Sequence, residues 1–282
     1  MMKSTTKRAA AGCVVALAAA GQLAAHDFWL VPDAFRIAPG EMLSVRGQTS
    51  SAFPSRLSAL AVDRIDQAVI VDARGRSTTN DVSHSGTSLL LRHRPQRDGQ
   101  YIVAMSIQPR AVRESPESFR EYLVLEGAPE ILDRLEREDG FPTDSITRRY
   151  AKYAKTMVEV GELGARAFAL VVGHPLEFVP LADPASVRPG DTIAFQLLLE
   201  GRPLPNARVH AGSIVRTEGA TLDELAGTER HIELSTDANG VVHVSIDRVG
   251  LWNLRALYLL PAAPGSGADW GTHWVSFVFA VE

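Results

Sequence analysis

Cysteine is almost missing from this chain: among 282 residues only Cys13 carries a thiol. Beyond residue 13 neither a disulfide framework nor a thiolate metal site can form. Long apolar runs are also lacking, since the stretch from Ala9 to Leu23 is too short and too alanine-rich for a convincing membrane span. There is no block of like charge and no low-complexity tail. With 29 basic against 33 acidic residues, the basic stripe that a nucleic-acid partner requires is absent. Signatures of catalysis are wanting too. No HxH, HExxH or G-x-S-x-G spacing occurs, and Ser83-His84-Ser85 lacks the context of a triad. Gly265, Gly267 and Gly271 follow a proline-rich turn rather than a strand, so they form no phosphate loop. An enzyme is not expected.

What is present begins with an export signal. Lys3, Lys7 and Arg8 precede the apolar stretch, and Ala24-Ala25 closes it with small residues. This order predicts a signal peptide over 1–25 and a processed chain starting at His26. Leu23 at the third position before the cut leaves a neighbouring site open. An uncleaved anchor and a lipid-modified Cys13 are the weaker readings. Removing the three leading cations leaves 26 basic and 33 acidic residues, a net charge of −7 with histidine neutral. The expected product is a periplasmic, thiol-free protein that is not membrane-spanning once processed, stabilised by packing and long enough for cores in two domains.

Periodicity divides the processed chain. Residues 26–114 show short apolar runs broken by turn signals such as Ala73-Arg74-Gly75 and Asp98-Gly99, a pattern that predicts an N-terminal β-sandwich. Over 115–166 the pattern predicts a helical connector. Ser115-Pro116 caps a helix that ends at Gly127, and Pro129 to Glu138 forms a second. Thr143-Asp144-Ser145 caps a third, with Ile146, Tyr150, Tyr153 and Met157 as its apolar stripe. From 167 to 282 alternation returns in a C-terminal β-sandwich, with strands at Thr192 to Leu199 and Ala207 to Ile214. Asn239-Gly240 is the strongest hairpin signal in the chain. The expected fold is mainly β: two Ig-like or prealbumin-like sandwiches joined by helices. Trp29, Trp252, Trp270 and Trp274 are expected chiefly in the core, although tryptophans can also form sugar platforms.

A weak repeat supports the two halves. His26 stands six residues before Pro32 and His174 six before Pro180. Each segment is followed by a proline-glycine-acid turn, Pro39-Gly40-Glu41 and Pro189-Gly190-Asp191. With these landmarks, the stretches AHDFWLVPDAFRIAPGE, FREYLVLEG, RRYAKYAKTM, GHPLEFVPLADP, GRPLPNARV, TDANGVVHVSI, GLWNLRAL and ADWGTHWVSFVF occur in order along the chain. Together they resemble the periplasmic proteins that carry the DUF4198 domain, once labelled as a nickel-transport-complex component. The segment from Gly201 to Leu257 is also similar to a transthyretin-like or carboxypeptidase-regulatory sandwich. The resemblance implies an accessory or binding protein associated with nickel or cobalt uptake, with a metal ion or a membrane metal transporter as its partner. This chain departs from that pattern at Gly47-Gln48 and at Leu257-Tyr258-Leu259, where relatives carry histidine.

An amino-terminal histidine has its own chemistry. The free α-amine and the ring Nδ1 of His26 can chelate one ion, a nitrogen-rich geometry that suits Ni(II) or Cu(II). Both donors must be unprotonated. Asp27 adds a nearby carboxylate, and His84 and His243 are candidate further ligands, as are His93, His210, His231 and His273. His26 can instead simply start a strand, and His174 at the matching repeat position favours that. The leading expectation is a divalent transition-metal binding or transport-accessory protein (nickel, cobalt or copper). Its rivals are a metal-free envelope module that binds protein or glycan, and a copper-dependent oxidase.

Overall fold

The computed structural model describes residues 26–55, 60–126, 128–162, 164–216 and 220–282. Residues 1–25, where the sequence predicts an export signal and which include Cys13, and Gly127, predicted to end the first helix, lie outside the described residues. The first half contains β1 (Asp27–Pro32), β2 (Arg36–Ile37), β3 (Leu43–Ser50), β4 (Ile65–Asp72), β5 (Gly75–Thr78), β6 (Val82–Ser85) and β7 (Ser88–His93). It continues through β8 (Gly99–Glu114), helices α1 (Pro116–Leu125) and α2 (Pro129–Arg137), and β9 (Ile146–Val160). The second half contains β10 (Leu176–Pro180), β11 (Thr192–Leu199), β12 (Arg202–Pro203), β13 (Arg208–Ile214) and the short α3 (Leu222–Leu225). Then follow β14 (Arg230–Ser235), β15 (Val241–Ser245), β16 (Gly250–Pro261) and β17 (Trp270–Val281).

The chain is mainly β, as its alternation predicts. Its halves do not close as separate units, because they share one nine-stranded sheet ordered β14-β13-β16-β17-β9-β8-β4-β5, with β2 also paired to β9. A small sheet, β1-β3-β7-β6, belongs to the first half, and a second, built on β11 with β10, β12 and β15, belongs to the other. Alternation along β9 shows where these lie. Ala154, Val158 and Val160 join the core under the first small sheet, whereas Ala151, Tyr153 and Met157 join the core under the second. Successive side chains of a strand point to opposite faces. The small sheets therefore cover opposite faces of the central sheet, called front and back below.

The repeat read from the histidines and prolines is present in the strand order. In each half the opening strand pairs antiparallel with the strand after the proline-glycine turn, β1 with β3 and β10 with β11. An outer pair of the central sheet follows, β4-β5 and β13-β14. The chain then returns to the small sheet, as β6 and β7 in the first half and as β15 in the second, and a long hairpin, β8-β9 or β16-β17, completes the half. β9 and β17 meet in parallel along the seam. The strand order is approximately two-fold about that seam, with front exchanged for back.

Two sequence expectations are corrected. The third helix, over Ile146 to Met157, is the long strand β9. Its apolar residues satisfy a strand as well as a helix, and pairing on both sides, with β8 and β17, overrides a helical propensity supplied by alanine, lysine and methionine. The helices consequently do not connect two domains. α1 and α2 are an excursion within the β8-β9 hairpin, whose arms pair as far as Glu114 and Ile146. Ser115 caps α1 by accepting from the Ser118 amide at 3.2 Å, and Phe119, Tyr122 and Leu123 pack on Trp270 and Trp274. The second correction concerns Asn239-Gly240. The turn is there, with Asp237 Oδ1 accepting the amides of Asn239 and Val241 at 2.8 Å each. The strands on either side are not partners, however: β14 pairs with β13 and β15 with β11, so the turn is a corner between sheets.

Candidate functional site

β1 lies on the front face where the two halves meet. The Ser276 hydroxyl of β17 donates to the Phe28 carbonyl at 2.6 Å, and Lys152 of β9 donates to the His26 carbonyl. Asp27 pairs with Arg255 of β16 at 2.6 Å. Trp29, fully buried, stands edge-on to Phe53 at 5.3 Å and packs on Val278 and Leu251. The first residues after the predicted cut are thus fastened by three neighbouring strands.

His26 is buried, and its Nδ1 finds no hydrogen-bond partner among the described residues. Burial, and then the nearby Lys152 ammonium, hold its imidazole below the ordinary histidine pKa, so that the neutral, ligand-competent form is favoured near pH 7. Lys152 itself is brought down to about 8 by burial. Beside this strand opens a cleft of about 320 Å³ lined by Asp27, Glu126, His210, His231, Arg255 and Trp274 among others. Glu126, at the end of α1, is pushed up to about 7 by burial and by the Asp27 carboxylate. His210 has a buried Nδ1 with no partner and is held low by burial, then by Arg255.

The residues proposed from sequence are only partly brought together. His26 and Asp27 are consecutive, and Asp27 lines the cleft. His84 is exposed on β6, the outer strand of the front sheet, and His243 is exposed on β15 of the back sheet, opposite the buried Val242 and Val244. His93 lies 6.2 Å from the Tyr101 ring, and His273 Nδ1 is 3.1 Å from the Tyr153 hydroxyl. His174 is buried against Tyr153, with neither ring nitrogen partnered. Among the described residues, no group of three or more histidine, cysteine, aspartate or glutamate side chains is placed to hold a metal ion. Nothing in the sequence marks Lys152 or Glu126 as a site residue, and Arg255 is marked only weakly. The alternation of Arg255 with buried Leu254 and Ala256 was the one available signal.

A second buried charge pair lies behind the seam. Lys155, three residues after Lys152 and on the opposite face, donates to Glu177 at 2.6 Å and to the Phe178 carbonyl at 3.0 Å. The Glu177 carboxylate also accepts the amides of Val172, Gly173 and His174 at 2.7, 2.8 and 3.1 Å. Although burial alone would raise it, these bonds and Lys155 hold its pKa below the ordinary value.

The family described as "Domain of unknown function (DUF4198)" matches residues 23–259. The chain belongs to that family. No curated protein matches it. Among solved structures it is similar to trypsin-activated alpha-2-macroglobulin from Escherichia coli, at 11% identity and a TM-score of 0.26, over 92% of this chain and 16% of that one. The Yersinia pseudotuberculosis adhesin InvE is similar at 14% identity and a TM-score of 0.20, over 90% of this chain and 58% of that one. This chain therefore spans about a sixth of the macroglobulin's length. Among the described residues no helix is long and apolar enough to cross a membrane.

Proposed function

We propose that this DUF4198 protein is an exported, periplasmic metal-binding or metal-transport accessory protein that takes a divalent transition metal at the start of its processed chain. Nickel and cobalt are the favoured ions, with copper also suited to the donors. The observation that carries the reading is the buried Nδ1 of His26, which has no partner among the described residues. Removing residues 1–25 would add a free α-amine beside it. Two nitrogens of one residue then form the chelate that these ions favour. The ion would supply coordination of a cargo or partner, and the carboxyl groups of Asp27 and Glu126 would stand nearby. Because the side chains of the described residues place no three-donor set, the amine is the essential addition. The two halves are best read as fused sandwiches of the Ig or prealbumin kind.

The test is calorimetry with Ni(II) on protein processed to His26, confirmed by intact mass, beside a form with one alanine before His26. Binding that weakens at least tenfold in the extended form is the expected result. Equal binding in both would overturn the amine-dependent site. A metal-free glycan platform has less support, since Trp29, Trp252, Trp270 and Trp274 are all buried.

A further inference from the structure

His210 and His231 come from neighbouring strands, β13 and β14. In the register Gly212 faces His231 and His210 faces Glu233, so the two imidazoles form a diagonal pair across the ladder. Their ring centres are 6.0 Å apart and their planes meet at 81°. With a ring centre roughly 3 Å from a metal bound at about 2.0–2.1 Å, one ion can bridge this spacing by sitting close to the line between the two rings. Both rings line the cleft, and His231 reaches solvent. A polar atom buried without a partner is costly, and His210 Nδ1 is such an atom. In the cleft Arg255 is matched by Asp27, and Glu126 stands on the wall as a further oxygen donor.

We propose that His210 and His231 form a second docking position for a divalent transition-metal ion, separate from the His26 chelate and needing no free amino terminus. Two protein nitrogens leave the ion's remaining positions to water or to an incoming donor, so the position is open and exchangeable. Such a site suits transient holding rather than permanent storage.

Calorimetry with Ni(II) separates the two sites. Processed protein is expected to bind two ions, and the form extended by one alanine is expected to bind one. In the extended form, His231→Ala and His210→Ala should each weaken binding at least tenfold. His231 is exposed, so its substitution should leave the fold intact. As a check without mutation, paramagnetic Ni(II) should broaden the ring NMR signals of His210 and His231 in the extended form. One ion in both forms would sink the His26 site and leave this one standing. One ion in the processed form and none in the extended form would overturn this proposal alone. Unchanged affinity in both alanine variants would also overturn it.

Discussion

Lys155 and Glu177 are fully buried charges, and their environment indicates how they should respond to change. The pair is compensated by the Phe178 carbonyl and by three backbone amides, so removing one partner strands the other. Lys155→Met should cost about 3–5 kcal/mol in urea unfolding, because Glu177 remains buried without its cation. His174 gives a second, pH-dependent prediction. Burial brings its pKa down from 6.5 to about 4. The unfolded chain binds the proton first, so this contribution is complete above pH 6.5 and is lost as the pH falls toward 4. The loss amounts to about 3 kcal/mol at most, from 1.36 kcal/mol per pKa unit. Urea unfolding at pH 7.5, 6 and 4.5 should show a decline that His174→Phe flattens. A variant with an undiminished decline would place the titration elsewhere. The sequence offered His174 as a repeat mark but not this role, because the tyrosine it packs on lies on a strand that reads as a helix.

At the level of elements, the link between halves depends on a close crossing. Gly164 passes over Gly99, where a Cβ at residue 164 would stand 2.0 Å from the Gly99 amide nitrogen. The Gln100 side chain then accepts the amides of Ala167 and Phe168 at 2.9 and 3.1 Å and donates to Asp183 at 2.8 Å. Gly164→Ala should therefore destabilise by about 1–3 kcal/mol, as overpacking against backbone does, and thermal melting will measure it. At the cap, Ser115→Ala should cost about 1 kcal/mol. α1, β11 and β13 were legible because their periods and end signals agree. β9 was not, since its lysines, alanines and widely spaced aromatics fit two periods and only long-range pairing chooses between them. For the same reason Asn239-Gly240 announced its turn but not the partners of the strands beyond it. In the candidate site, His26 and Asp27 were legible from the cleavage pattern. Glu126, His210 and His231 needed the helical excursion and the β13-β14 ladder to bring them into one cleft.

For the whole molecule, the shared sheet argues against independent halves. β9 pairs with β17 from Arg148 to Thr156, and the Thr156 hydroxyl donates to the Val278 carbonyl across the seam at 2.9 Å. Calorimetric unfolding should give one transition with matching calorimetric and van't Hoff enthalpies. Two separated transitions would mean that the seam is weak.

The seam has a further consequence for ancestry and engineering. Because the halves share an approximately two-fold strand order and meet strand-to-strand in parallel, the chain has the plan of a homodimer whose two subunits were joined end to end. The tether over residues 161–175 would then be an addition, needed only to carry one polypeptide from the front of a common sheet to its back. A chain cut within that tether should reassemble from its two pieces, and either piece alone should find a copy of itself along the edge that β9 or β17 leaves open.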